Sequence, residues 1–283
     1  MELDTSTQNS NSILEYLRED LSLPSDPTTL SQRYRQATPF PHLLFNNVFD
    51  DHLVGSLVEE ISAINRSGWA LHESDHQRKV NLRSAVDLGV YGRRYVGLVH
   101  SAAFLYLLSE ITGVWGLVPD PYLSGAGYSL IPNGGFFDVH ADRNYDHQVG
   151  LTRRLSMITY LNRDWTPDRG GQLELWNTSG TQCESVIEPL FNTTILFEIG
   201  DLNFHAIRKV ATSQGITRNA FVTYYHTAPE ANGNKPLPHN SLFAPVVYKR
   251  GAKVKEMISE YLIPPGIGNA ISKFRKSLGT RGR

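Results

Sequence analysis

Apolar residues recur at helical spacing near the start of the chain, at Ile13, Leu14, Tyr16, Leu17 and Leu21, and stop at Pro24, which predicts a short amphipathic helix. Pro39 and Pro41 lead into HLLFNNVF, a strand-like run. Asp50 or Asp51 then stands where it can cap a helix carrying Leu53, Leu57, Val58 and Ile61. VGLVHSAAFLYLLSEI is too long and too leucine-rich for a strand, so one helix is expected over residues 95–112. Across residues 122–227 the pattern changes to short runs of Thr, Tyr, Phe, Val and Ile punctuated by NGG, RGG, TSG and SQG turns. RLSMITYL, GQLELW, TTILFEI and NAFVTYY read as the strands of a β-sandwich or barrel. Beyond Pro229 the chain is rich in Pro and Asn, and a basic helical stretch is expected over residues 253–261. The sequence shows no internal repeat.

Composition narrows the partners. The 283 residues hold 27 Lys and Arg against 28 Asp and Glu, a formal net charge of −1, and neither sign gathers into a block. No nucleic-acid or anionic membrane surface is therefore expected. The one cysteine, Cys183, excludes a disulfide within the chain and any thiolate-rich metal or iron–sulfur site, as fits a reducing compartment. MELDTSTQNSNS lacks the charge and apolar pattern of a secretory leader, and no window has the length of a membrane span. A cytoplasmic protein is the expectation.

The candidate chemistry lies in GYSLIPNGGFFDVHAD, where a strand leaves a glycine turn and ends on His140 and Asp142. His-x-Asp alone is a weak signal, but residues two apart in an extended segment share a side and can share an ion. His205, in FEIGDLNFHAIRKV, follows another strand and turn and is placed to be a third ligand. Two imidazoles and a carboxylate suit an iron(II) that keeps positions open, although zinc hydrolases use the same donors. Arg218 separates the two readings, because its fixed guanidinium opens the strand RNAFVTYY and can pair with the far carboxylate of a metal-chelating dicarboxylate. Asp138 is a weaker rival ligand, with a supporting role as its alternative. His42, His52, His72, His76, His100 and His239 read as ordinary core or surface histidines, and His147 and His226 as loop or strand-end residues.

HAD, ITYLNRDW, GGQLELW, NFHAIRKV and RNAFVTYY follow one another in an order that resembles the prolyl 4-hydroxylase-like branch of the iron(II)/2-oxoglutarate-dependent dioxygenase superfamily. TPFPHLLFNNVFDDHL is similar to that branch's lead-in. The resemblance implies a mainly β fold with flanking helices, a double-stranded β-helix or jelly roll with the metal at its mouth. It implies residues 1–38 as a helical extension, 39–229 as the dioxygenase domain with its core at 122–227, and 230–283 as a second helical extension. It carries over His140, Asp142 and His205 as iron ligands, and Arg218 as the partner of 2-oxoglutarate. Tyr160 takes the position of a second donor to that carboxylate. Fe(II), 2-oxoglutarate and O2 are the implied cofactors, with ascorbate as an auxiliary reductant. A tyrosine usual nearer the glycine turn has no counterpart, since that position reads Leu130-Ile131 and Tyr128 stands upstream.

The implied reaction is hydroxylation of an unactivated C–H bond of a small metabolite, with hydroxylation of a prolyl residue in a protein as the alternative. A catalytically silent metal-binding jelly roll is the rival from another class. Because Asp142 holds the place a halide would need, halogenation is disfavoured. Arg143 and Asn144, just after the metal motif, are the expected substrate contacts, with Trp176 and Arg83. The oligomeric state is not legible.

Overall fold

The structure, a computed structural model, describes residues 17, 19–64, 69–82, 85–229 and 237–244. The basic stretch at 253–261, Arg83 and most of the first expected helix lie outside the described residues. In chain order the helices and strands are α1 (Pro27–Gln36), β1 (His42–Asn46), α2 (Asp51–Ala63), β2 (Ala70–Ser74), β3 (Gln77–Asn81), α3 (Val90–Val99), α4 (Ala102–Thr112), β4 (Val118–Pro119), β5 (Gly127–Ile131), β6 (Phe136–Ala141), β7 (Tyr145–Asp146), β8 (Leu151–Tyr160), β9 (Leu173–Trp176), β10 (Cys183–Ile187), β11 (Thr193–Glu198), β12 (His205–Ile207), β13 (Arg218–Thr227) and β14 (Leu242–Phe243).

Asp50 caps α2 by accepting from the Leu53 amide, and Leu53, Leu57 and Ile61 are buried while Val58 is half-buried. The single helix expected over 95–112 is instead two, α3 and α4, bent by 51°. The cause is Ser101, whose extended backbone (φ −65°, ψ 151°) interrupts the helix while its hydroxyl accepts from the Phe104 amide and starts the next one. Among the described residues no single helix is long and apolar enough to cross a membrane. α1 was not expected, although its signals are plain: Asp26 caps it and Pro27 fills the first turn, where a missing N–H costs nothing.

Every named strand pair is antiparallel, in the order β1-β11-β8-β13-β5-β3-β6-β12-β9-β10, with β2 on β3, β4 on β13, β7 on β8 and β14 on β6. The sheet curls into the jelly roll, its broad half running from β1 to β5 and its narrow half from β6 to β10. The helices pack on the outer face of the broad half. There Leu53, Leu57, Tyr95 and Phe104 meet Leu43, Tyr128, Leu155, Leu196 and Phe221. A second core fills the barrel floor with Phe40, Ile158, Tyr160, Leu173, Leu175, Ile195 and Phe197. Strands β8 and β11 are covered on both faces, so polar residues such as Ser156, Thr159 and Thr194 are buried along with the apolar ones.

Candidate active site

β6 and β12 are neighbours, and their register sets His205 opposite His140. Asp142 follows one residue after the end of β6. The His140 and His205 rings lie 4.3 Å apart, and their Nε2 atoms are 3.4 Å and 3.8 Å from the two Asp142 carboxylate oxygens. Backbone carbonyls fix both rings: His140 Nδ1 donates to Asp138 O at 2.7 Å, and His205 Nδ1 to Asn203 O at 3.2 Å. A carbonyl can only accept, so each Nε2 keeps its lone pair for an ion. Phe137 stacks on His140 at 3.6 Å and Phe197 lies 5.0 Å from His205, so both imidazoles are wedged in place.

Burial alone raises the Asp142 carboxyl, but the neighbouring His205 and His140 and the Lys79 ammonium together outweigh it and hold Asp142 well below the usual carboxylate range. Burial, then repulsion by His140, pushes His205 down to about 4. An ionised carboxylate and a neutral imidazole are the forms that bind metal. His140 Nε2 is buried without a hydrogen-bond partner, because both it and the facing carboxylate accept. This donor set, with one orphaned lone pair and room for all three ligand atoms within 4.8 Å of one another, fits a divalent iron with open positions.

Arg218 opens β13 on the floor side and is 2% exposed. Its Nε donates to Gly171 O at 2.6 Å, while one terminal nitrogen is buried with no partner. Gly171 has φ +73°, and a Cβ there would press on Arg218 Cδ at 3.0 Å, so the RGG turn needs glycine to cradle the guanidinium. The Arg218 guanidinium lies 4.9 Å from the centroid of the Tyr160 ring. The Tyr160 hydroxyl, close enough to feel that charge, makes no well-formed hydrogen bond and is itself orphaned. A buried guanidinium and a buried hydroxyl, both with donors to spare, form a socket for a carboxylate.

The profile of the 2OG-Fe(II) oxygenase superfamily matches residues 126–226, the stretch that holds His140, Asp142, Tyr160, His205 and Arg218. This stretch is a 2OG-Fe(II) oxygenase domain. Over 216 residues the chain is 25% identical to prolyl 3,4-dihydroxylase OGFOD1 of Ostreococcus tauri, covering 67% of this chain and 38% of the relative. It is 27% identical over 95 residues to prolyl 3-hydroxylase OGFOD1 of Mus musculus, covering 31% of this chain and 17% of that one. The match therefore spans well under half the length of either relative. A prolyl-4-hydroxylase from Pseudomonas putida shares the fold at a TM-score of 0.53 and 20% identity, over 71% of this chain and 100% of that one. A prolyl hydroxylase from Trichoplax adhaerens does so at 0.52 and 15% identity, over 80% and 94%.

Around the mouth of the oxygenase domain the expected substrate residues fare unequally. Asn144 is 4% exposed, and its amide is occupied by Asp201, Leu237 O and the His239 amide. The Arg143 side chain, 33% exposed, donates to Ser124 O and Oγ and lies 3.6 Å from Asp146. Trp176 is half-buried, with its indole N–H on Glu174. Asp138 stays out of the metal cluster: its side chain meets His76 and its carbonyl holds His140. Tyr128 faces the helices instead of the barrel, donating to Glu60 at 2.9 Å. A second close group, Asp120, Asp146 and His226, is already balanced by Arg153, 2.9 Å from Asp146. Sequence reasoning missed Lys79, whose Nζ sits 4.3 Å from the centroid of the Phe137 ring. On β3 the polar residues Gln77, Lys79 and Asn81 alternate with Arg78 and Val80, so no apolar stripe announces a strand.

Proposed function

We propose that this chain is an iron(II)/2-oxoglutarate-dependent dioxygenase that hydroxylates an unactivated C–H bond. The observation that carries the reading is a socket in one barrel: two carbonyl-fixed imidazoles and an ionised carboxylate at the mouth, and an orphaned buried guanidinium on the floor. Iron(II) with 2-oxoglutarate and O2 would supply the oxidising power, releasing succinate and CO2 as one oxygen atom enters the C–H bond.

The residues of the chain do the positioning. His140, Asp142 and His205 would hold the metal on one side and leave the other open. Arg218 and Tyr160 would take the far carboxylate of the co-substrate and so set its distance from the metal. Phe137, Phe197, Ile158 and Leu175 keep water from the floor. As to the substrate, a small metabolite remains our first reading. The curated relatives, named as prolyl hydroxylases, favour a prolyl residue in a protein as the second.

The test is anaerobic loading with iron(II) and 2-oxoglutarate, then exposure to O2 with a panel of free amino acids, nucleotides and proline-containing peptides. Succinate should form, and one class should gain a single oxygen atom. Equal succinate from Asp142→Ala, or none from the iron-loaded wild type, contradicts the reading.

A further inference from the structure

The mouth holds a cation that the co-substrate does not need. Lys79 lies half-buried on β3 with its ammonium over Phe137, the ring that stacks on His140. Among the described residues its ammonium makes no hydrogen bond and no ion pair. Burial is the largest influence on it and pushes it down to about 8, so it is still a cation at neutral pH; Asp142 pulls it back up, while Arg143, Arg153 and Arg218 repel it. Its seat over Phe137, the ring that stacks on His140, sets the ammonium one side chain away from the metal ligands.

A cation–π contact returns about 0.5–2 kcal/mol, whereas removing an ammonium from water costs several. An arriving anion is a better partner for this charge than the ring alone when the site is full. The co-substrate is not that anion, because the charges of iron(II), the Asp142 carboxylate, a dianionic 2-oxoglutarate and the Arg218 guanidinium cancel among themselves. Lys79 is a cation with no counter-ion in contact among the described residues. It has three N–H donors to offer, and besides neutral O2 the group still to arrive is the substrate.

We propose that Lys79 is a specificity-determining residue that pairs with an oxyanion of the substrate, so that this site selects an acid bearing a carboxylate or phosphate near the C–H bond that reacts. The proposal rests on the oxygenase reading of the site and narrows its substrate class. It applies alike to a free metabolite and to an acidic peptide, since both present the same oxyanion.

The test reads binding, not turnover. Calorimetry first measures Mn(II) and 2-oxoglutarate binding to the wild type, Lys79→Met and Lys79→Arg. On the loaded proteins, paramagnetic relaxation by Mn(II) is then followed for trifluoroacetate (fluorine-19) and inorganic phosphate (phosphorus-31), with trifluoroacetamide as the neutral control. At least one anion should be relaxed in the wild type and in Lys79→Arg. Its affinity should fall at least about tenfold in Lys79→Met, the factor expected of one charge-assisted contact. The amide should bind no better to the wild type than to Lys79→Met, and the more strongly relaxed anion identifies carboxylate or phosphate. Unchanged anion relaxation in Lys79→Met, or none in the wild type, overturns the proposal. Loss of 2-oxoglutarate affinity in Lys79→Met with the anion response intact also overturns it, by making Lys79 a co-substrate residue. A wild type that binds no 2-oxoglutarate at the calorimetry stage brings down the oxygenase reading and this proposal with it.

Discussion

Arg218 shows how a single side chain can be costly to the fold and necessary to the ligand. Its guanidinium is 2% exposed, keeps one unsatisfied nitrogen and stays charged in spite of burial, which pushes its pKa down. Removing an uncompensated buried charge relieves the folded state, while removing it from a filled socket strands a carboxylate. Arg218→Met is therefore expected to melt no lower than the wild type without ligand, yet to weaken 2-oxoglutarate binding by about 2–5 kcal/mol. Tyr160→Phe, which deletes one neutral donor, is expected to cost about 1 kcal/mol of that binding. Calorimetry on the Mn(II)-loaded variants checks both, and unchanged affinity in Arg218→Met would place the anchor elsewhere. At this scale the gathering of His140, Asp142 and His205 into one cluster and the burial of Arg218 at the start of its strand are what the sequence made legible, because metal and carboxylate chemistry would demand these residue types at strand ends. Lys79 was not legible, since one polar residue in an unpatterned strand carries no spacing signal. The engagement of Asn144 with Asp201 and His239 depends on segments that only the fold brings together.

Among the elements, α2 does more than cover the sheet. Glu60, on its last turn, accepts from the Tyr91 and Gly92 amides at the start of α3 and from the Tyr128 hydroxyl on β5. The N-cap of α3 is Gly89, which has no side chain to do this, so a neighbouring helix provides the cap. Glu60→Ala leaves those donors without their acceptor and is expected to lower stability by about 1–3 kcal/mol in urea denaturation, with 2-oxoglutarate affinity unchanged. A stability within error of the wild type would show that water replaces the carboxylate fully. The strands of the barrel were readable from turn residues and β-branched runs, and Asp50 marked the start of α2. The break between α3 and α4 was harder to see, because Ser101 sits inside an apolar run whose composition alone reads as one helix. The hairpin of β2 and β3 was missed for the reason that hid Lys79.

At the scale of the whole molecule, the two largest cores divide the work. The helix-facing core fixes the broad half of the sheet, and the floor core fills the barrel below the metal motif, leaving charged and hydrogen-bonding groups to gather at the mouth. That division follows from β8, β11 and β13, whose two faces serve different cores. It explains why the ordered motifs could be read as a jelly roll while the placing of the helices on it could not: helix packing is set by side chains from both layers, and no local spacing records it. The central claim is that His140, Asp142 and His205 form one metal site that a dicarboxylate anchored on Arg218 completes. The most direct measurement is the visible absorbance of the anaerobic protein on addition of iron(II) and then 2-oxoglutarate. A weak charge-transfer band that needs both additions and vanishes in Asp142→Ala is the expected result. The same spectrum in Asp142→Ala, or no band in the wild type, would contradict the claim.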